Sequence, residues 1–205
     1  AMSSQYVTSS GFTTAGVVDF DGNSYSTVVI GNQTWMAENL KVTKYRNGDN
    51  ITHITINSNW ASNTDGAYGY YNNSTANRDT YGMLYNWHAV DNSSGGNICP
   101  QGWHVPTDTE FSELAAELGS DAASQLKEIG IDHWASDPGT SNSSGFTALP
   151  AGNRSYNNGT YSQISNYAYF WTSSFSSGSF IYGRFRRLVA TSSSSFVSFP
   201  INSKY

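Results

Sequence analysis

The sequence predicts an α+β fold with two main helices, a short third helix and a small antiparallel sheet, joined by many loops. Three observations carry this expectation. Residues 98–119 hold a whole helix signal: Thr107 and Glu110 have the spacing of a capping box, and Phe111, Leu114, Ala115 and Leu118 recur on a 3.6-residue period. Helical periodicity comes first along the chain and most strand-like runs come last, an order that suits segregated helices and strands better than a doubly wound sheet. The composition, with 19 Gly, 15 % aromatic and 12 % charged residues in a chain of 205, describes one loop-rich globular domain able to bury a full core.

Residues 1–16 are rich in Ser and Thr without periodicity and read as a disordered leader or linker ahead of a single domain at 17–205. The opening Ala-Met reads as a cloning remnant in place of a targeting segment. Val17-Val-Asp-Phe20, the turn Asp21-Gly-Asn23 and Tyr25-Ser-Thr-Val-Val-Ile30 make strand, turn and strand, with Asp-Gly supplying the positive φ of a tight hairpin. Asp19, Asp21 and Asn23 mimic the start of an EF-hand loop, yet its twelfth position is Ile30 where a bidentate Glu belongs. A hairpin turn is therefore expected. A second turn and a strand with a buried Trp35 follow. Residues 41–80 form a long polar stretch, expected to be a functional loop or an ordered excursion. Within it, Tyr68-Gly-Tyr-Tyr71 offers either a stacking platform for sugars or core packing, and packing is favoured. Residues 81–90 predict the first helix, with Tyr81, Leu84, Tyr85 and His88 on one face. The central helix starts at Thr107 and stops at Gly119. The third spans residues 122–128 on Ala122, Ala123 and Leu126. Turn-rich sequence through His133, Trp134 and Asp137 leads to strands near 146–149 and 167–171.

Several spaced stretches resemble one family. The run Cys99-Pro-Gln-Gly-Trp-His-Val-Pro-Thr-Asp-Thr-Glu-Phe111 stands with Asp21-Gly-Asn-Ser-Tyr25, Val29-Ile-Gly-Asn-Gln-Thr-Trp-Met-Ala-Glu-Asn-Leu40 and Tyr81-Gly-Met-Leu-Tyr-Asn-Trp87. Ser144-Gly-Phe-Thr-Ala-Leu-Pro-Ala-Gly-Asn-Arg154 and Tyr169-Phe-Trp-Thr-Ser-Ser174 complete the set. Together they resemble the Fibrobacter succinogenes major paralogous domain family. That resemblance implies a C-type-lectin-like domain, distantly similar to the formylglycine-generating enzymes through a shared Gly-Trp-x-x-Pro-Thr-x-x-Glu helix entry. It implies structural roles for Glu38 and Asn39, tying loop backbone groups. It also implies a last strand resembling Gly-Phe-Ser-Val-Arg-Cys, whose Cys would partner Cys99. The sequence stops at Tyr205, where that strand should begin. Either the chain was cut, leaving Cys99 as half of a disulfide from an exported protein, or another chain supplies the strand. Truncation is the reading adopted.

A net charge of −5 argues against nucleic acid as a partner, and no apolar run approaches the roughly 18 residues that cross a bilayer. His53, His88, His104 and His133 lack zinc-ligand spacing, and the Glu-Pro-Asn and Trp-Asn-Asp signatures of calcium-dependent lectins are absent, so no metal or other cofactor is expected. Cys99 and His104 have the types of a nucleophile and base, but nothing local would depress the thiol pKa. Formylglycine-generating chemistry needs two thiols near the chain end, and there is one Cys in all. The chain is not expected to be an enzyme.

The strongest functional clue is residues 172–199. These 28 residues use only Thr, Ser, Phe, Gly, Ile, Tyr, Arg, Leu, Val and Ala. Residues 1–171 hold 22 Glu, Lys, Gln, Met and Trp, so roughly three or four would be expected in the segment, and none is there. Every type present is reached from an Asn codon by changing its adenines, as diversity-generating retroelements do at the ends of lectin-like domains. The bland alternative is a set of Ser/Thr-rich strands with ordinary β propensity. After Thr172 the charge is +4, and the remainder carries −9. Phe175, Phe180, Tyr182, Arg184, Arg186 and Leu188 are the candidate ligand-binding residues, a mix of aromatics and Arg enriched at binding hot spots. Alternation places Tyr182, Arg184, Arg186 and Leu188 on one strand face, chosen as outward, and Phe185, Arg187 and Val189 on the other. The expected function is a non-catalytic recognition module at the cell surface or outside the cell. It would bind a protein or acidic glycan on a cell or phage surface. A module for neutral polysaccharide, with Trp and Tyr as platforms, is the alternative, and a tandem-repeat spacer without ligand is a third.

Overall fold

Thr107 begins the central helix as its sequence dictates. Its hydroxyl accepts from the Glu110 backbone N–H at 3.1 Å, and the Glu110 carboxylate accepts from the Thr107 N–H at 2.7 Å, so a complete capping box closes the first turn. The other Glu110 oxygen meets His104 Nε2 at 2.9 Å. Burial alone would push the Glu110 carboxyl up, but the contacts from His104 and Thr107 outweigh it and hold the group below its ordinary value.

The computed structural model describes residues 4–6, 16–91, 97–176, 182–193 and 196–200, and it is α+β with short helices and small sheets. The first half carries β1 (Ser4–Tyr6), β2 (Val17–Val18), β3 (Ser24–Tyr25), β4 (Thr27–Ile30), β5 (Gln33–Met36) and β6 (Thr52–His53). Next come α1 (Asn57–Ala61), β7 (Ala67–Gly69), α2 (Thr75–Tyr81), β8 (Leu84–Tyr85) and α3 (Trp87–Val90). The second half has α4 (Asp108–Leu118), α5 (Ala122–Leu126), β9 (Asn153–Arg154), β10 (Tyr161–Ser162), β11 (Tyr167–Ser176), β12 (Tyr182–Val189) and β13 (Phe196–Pro200). The longest strands pair antiparallel in the order β11-β12-β13, while β1-β5-β4 and β6-β7-β8 form smaller sheets.

One apolar cluster lies between α4, α5 and the inner face of the β11-β12-β13 sheet. Trp35, Phe111, Phe146, Phe170, Leu188 and Phe196 fill it, with the rings of Trp35 and Phe111 5.1 Å apart and Phe111 edge-on to Phe196 at 5.5 Å. A second cluster gathers Met36, Leu40, Tyr85, Trp87, Cys99 and Trp103 under the loop that enters α4. The sole cysteine is thus buried. Lys127 is fully buried at the edge of the first cluster, its ammonium donating to the carbonyls of Val189, Ala190 and Ser192.

The hairpin expected at residues 17–25 is present, with Val17 opposite Tyr25. Asp19 accepts from the backbone N–H groups of Asp21 and Asn23, each at 2.9 Å, and from the Tyr25 hydroxyl at 2.6 Å, so its carboxylate organises a turn. Glu38 accepts from the Ser26 N–H and Asn39 donates to the Tyr81 carbonyl, the structural roles the resemblance implies.

Other expectations need correction. The helix expected at 81–90 is split: α2 ends at Tyr81, Gly82 turns the chain at φ 75°, Leu84 and Tyr85 pair with β7, and only α3 follows. A Cβ at Gly82 would lie 2.8 Å from the Asn39 Cβ, so the turn that ends the helix there needs glycine. The helical spacing of Tyr81, Leu84, Tyr85 and His88 was shared among separate elements. The strand near 146–149 is a single parallel bridge between Lys127 and Ala148. Most strands do not come last; the first half holds eight short ones among the described residues. Ser4–Tyr6, inside the expected leader, extends the small sheet by pairing with β5. The polar stretch 41–80, by contrast, is the ordered excursion that was one of its two expected forms, with two helices and two strands of its own.

Candidate functional site

The face of β12 is set by what lies beneath it. Leu188 is fully buried, Arg186 is 7 % exposed, and Phe185, Arg187 and Val189 lie on the other side. The even-numbered set was expected to point outward, and the structure reverses this for Arg186 and Leu188. The physical reason is the apolar face of α4: Leu188 joins its core cluster, and Arg186 reaches the N-terminus of the helix. There Arg186 Nε donates to Asp108 Oδ1 at 2.8 Å, and Nη2 donates to the Asp108 carbonyl and to Ser112 Oγ. Arg184, half-buried, donates to Asp108 Oδ2 at 3.2 Å. One carboxylate thus engages both guanidinium groups that the sequence offered to a ligand. Phe175 is 60 % exposed, beyond a register irregularity in β11. Phe180 and the side chain of Tyr182 lie outside the described residues.

Gly183 explains how β12 lies so close to the body of the domain. A Cβ there would come within 2.5 Å of Trp87 Cε3. Gly183→Ala is therefore expected to lower stability by about 2 kcal/mol through overpacking, read as a lower urea midpoint with an unchanged slope.

The odd-numbered face builds the site. Tyr167, Tyr169 and Trp171 alternate along β11, and Trp171 stands opposite Phe185 in the ladder. Tyr169 packs on Phe185 with centroids 5.3 Å apart, and Arg187 lies over the Tyr167 ring at 4.9 Å. Facing this wall are α1, α3 and the turn after β9. Together they enclose a cleft of about 370 Å³, lined by the rings of Trp60, Trp87, Tyr156, Tyr169, Trp171 and Phe185, with the polar side chains of Asn63, His88 and Asn153 among them. The rings are positioned by the fold: Trp171 Nε1 donates to the Tyr85 carbonyl at 2.8 Å, and Trp87 sits 5.4 Å from Trp171. Arg154 lies over Trp60 at 4.3 Å and donates to the carbonyls of Ile54 and Gly159. Arg154 thus lines the cleft with its guanidinium already engaged by backbone carbonyls and the Trp60 ring.

None of the described candidate residues lines this cleft, and sequence reasoning missed all six of these rings, Trp60, Trp87, Tyr156, Tyr169, Trp171 and Phe185. Trp60 and Tyr156 are isolated aromatics in polar, turn-rich sequence, which was the available signal. Tyr68 of the proposed platform is buried, stacked 4.9 Å from His53. Cys99 is buried, and His104 is engaged with Glu110. Among the described residues no three His, Cys, Asp or Glu side chains assemble as a metal site needs, and no helix is long and apolar enough to cross a membrane.

Comparison with protein families matches residues 28–194 to the Fibrobacter succinogenes major domain. The chain belongs to this family. No curated protein and no solved structure matches it. In this member of the Fibrobacter succinogenes major domain family, the matched span contains the capping box of α4, every ring of the cleft and all of β12.

Proposed function

We propose that this protein is a non-catalytic recognition module, of C-type-lectin-like architecture, that binds a neutral sugar of a surface glycan in the aromatic cleft. The observation that carries this reading is the lining itself: rings from five separate parts of the chain converge with amide side chains on a space the size of one or two sugar units. Aromatic faces bury the C–H faces of a pyranose, and amides hydrogen-bond its hydroxyls. The engagement of Arg184 and Arg186 with Asp108 favours a neutral ligand over an acidic one. A surface glycan would be met at the cell exterior, which is the location this reading implies. Within this reading, residues 172–199 are one version of a diversified face, and retroelement activity accounts for their restricted alphabet. A second reading, a protein ligand on the same side, is favoured by the exposed ring of Phe175.

Tyr156 is 43 % exposed on the cleft wall opposite β12, so its removal tests the site without disturbing the core. Tyr156→Ala is expected to weaken binding of neutral oligosaccharides about tenfold in titration calorimetry, equivalent to about 1.4 kcal/mol. Affinity should be nearly the same at low and high salt, because no ion pair is involved. Binding that collapses with salt, or a response only to protein ligands, would overturn the neutral-glycan reading.

A further inference from the structure

We propose that Phe185 is the specificity-determining residue of the cleft, the position through which the terminal segment selects which sugar is bound. This rests on the reading of the cleft as the glycan site. Among the described residues of 172–199, Phe185 is the one that lines it.

Three features give the position this role. Its backbone is held from both sides, opposite Trp171 on β11 and Phe199 on β13, so the ladder fixes where the side chain emerges whatever that side chain is. Its neighbours are constrained by the body of the domain. Gly183 has no room for a Cβ beside Trp87, Arg186 is locked to the N-terminus of α4, and Leu188 is in the core. The ring of Phe185 is instead half-exposed in the cleft wall beside Tyr169. Change at 185 therefore alters the wall, whereas change at 183, 186 or 188 alters the scaffold.

The residue types in the segment would convert that freedom into discrimination. Ser or Ala at 185 would remove a ring and open space for an equatorial substituent. Tyr would add a hydroxyl that can donate to or accept from a sugar. Arg would bring a cation. A single added or missing group in a pocket changes relative affinity by about 10- to 200-fold, which is the range that separates related sugars.

The test compares wild type, Phe185→Ser, Phe185→Tyr and Tyr156→Ala on ladders of neutral glucose, xylose and mannose oligosaccharides. Cooperative thermal melts confirm each fold, and Phe185→Tyr, which keeps the ring, decides the matter should Phe185→Ser fail to fold. The expected result is that Tyr156→Ala weakens all binding while the Phe185 variants change the ranking of the three ladders by tenfold or more. If Tyr156→Ala weakens binding and the Phe185 variants keep the wild-type ranking, the cleft remains the site and the role of Phe185 is overturned. If Tyr156→Ala binds as wild type does, or the wild type binds none of the ladders, the glycan reading fails and the inference falls with it.

Discussion

Asp108→Ala is expected to lower the unfolding free energy by about 3–5 kcal/mol, because it leaves a buried guanidinium without its countercharge. The Arg186 side chain is 8 % exposed and its Nε lies 2.8 Å from Asp108 Oδ1. With the carboxylate gone, the Asp108 carbonyl, Ser112 Oγ and the Phe196 ring at 5.9 Å remain to hold the cation, and little water reaches it. Arg184 adds little, since its longer contact is at a half-exposed side chain where solvent screens the pair. Asp108 also stands in the first turn of α4, where a negative charge complements the helix dipole, and its N–H donates to Ser174 Oγ on β11. The carboxylate thus fastens β12 to the helix, and its loss should loosen the wall of the cleft, while the backbone bond to Ser174 on β11 remains. Urea unfolding of Asp108→Ala, Arg186→Met and the double variant separates the contributions. The double variant should recover much of the loss, because removing both charges leaves none uncompensated. A loss below about 1 kcal/mol for Asp108→Ala would mean that the pair does not hold the strand.

The same ion pair shows why the fold was legible in the sequence and the site was less so. The capping box, the α4 stripe and the hairpin at Asp19 are local patterns, each specified by residues a few positions apart, and each stands where the sequence puts it. The face of β12 is not local. Tyr182-Gly-Arg-Phe-Arg-Arg-Leu-Val189 has apolar and basic side chains on both faces, so alternation leaves two registers, and polar heads were the only guide. Choosing by polarity fails because Asp108, 78 positions from Arg186, draws that guanidinium inward. The cleft is less legible still. Trp60, Tyr156 and Phe185 are far apart in sequence and share no spacing, and only the close approach of β12 at Gly183 brings them around one space. The helix misread at 81–90 has the same origin: Asn86 caps α3 by accepting from the Ala89 N–H and also accepts from the Ala67 N–H, a contact with β7 that no window over residues 81–90 contains.

Lys127→Met should destabilise the domain by about 3 kcal/mol at neutral pH, the cost of leaving buried carbonyls unsatisfied, and change how stability varies with alkali. The wild-type ammonium donates to Ser192 O at 2.7 Å, Val189 O at 3.1 Å and Ala190 O at 3.4 Å, and lies 5.1 Å from the Trp134 ring centroid. These carbonyls lie where the chain leaves β12, and Met cannot donate to them, so the variant carries the desolvation cost of unsatisfied backbone groups. Burial pushes the Lys127 pKa down to about 8, whereas an unfolded lysine titrates near 10.4. Between those values the unfolded chain holds more protons at this residue than the folded one, so its contribution to stability rises as pH increases from about 8 to 10. In Lys127→Met that contribution is missing. The stability gap between wild type and variant should therefore widen across the window, measured by urea unfolding at pH 7, 8, 9 and 10. Hydrogen exchange at residues 189–193 should quicken in the variant, which keeps the Ser124 N–H bond to the Ser193 carbonyl but loses the ammonium's bonds to this reversal. A variant as stable as wild type, with a constant gap from pH 7 to 10, would show that the buried ammonium neither holds the end of β12 nor titrates in this range.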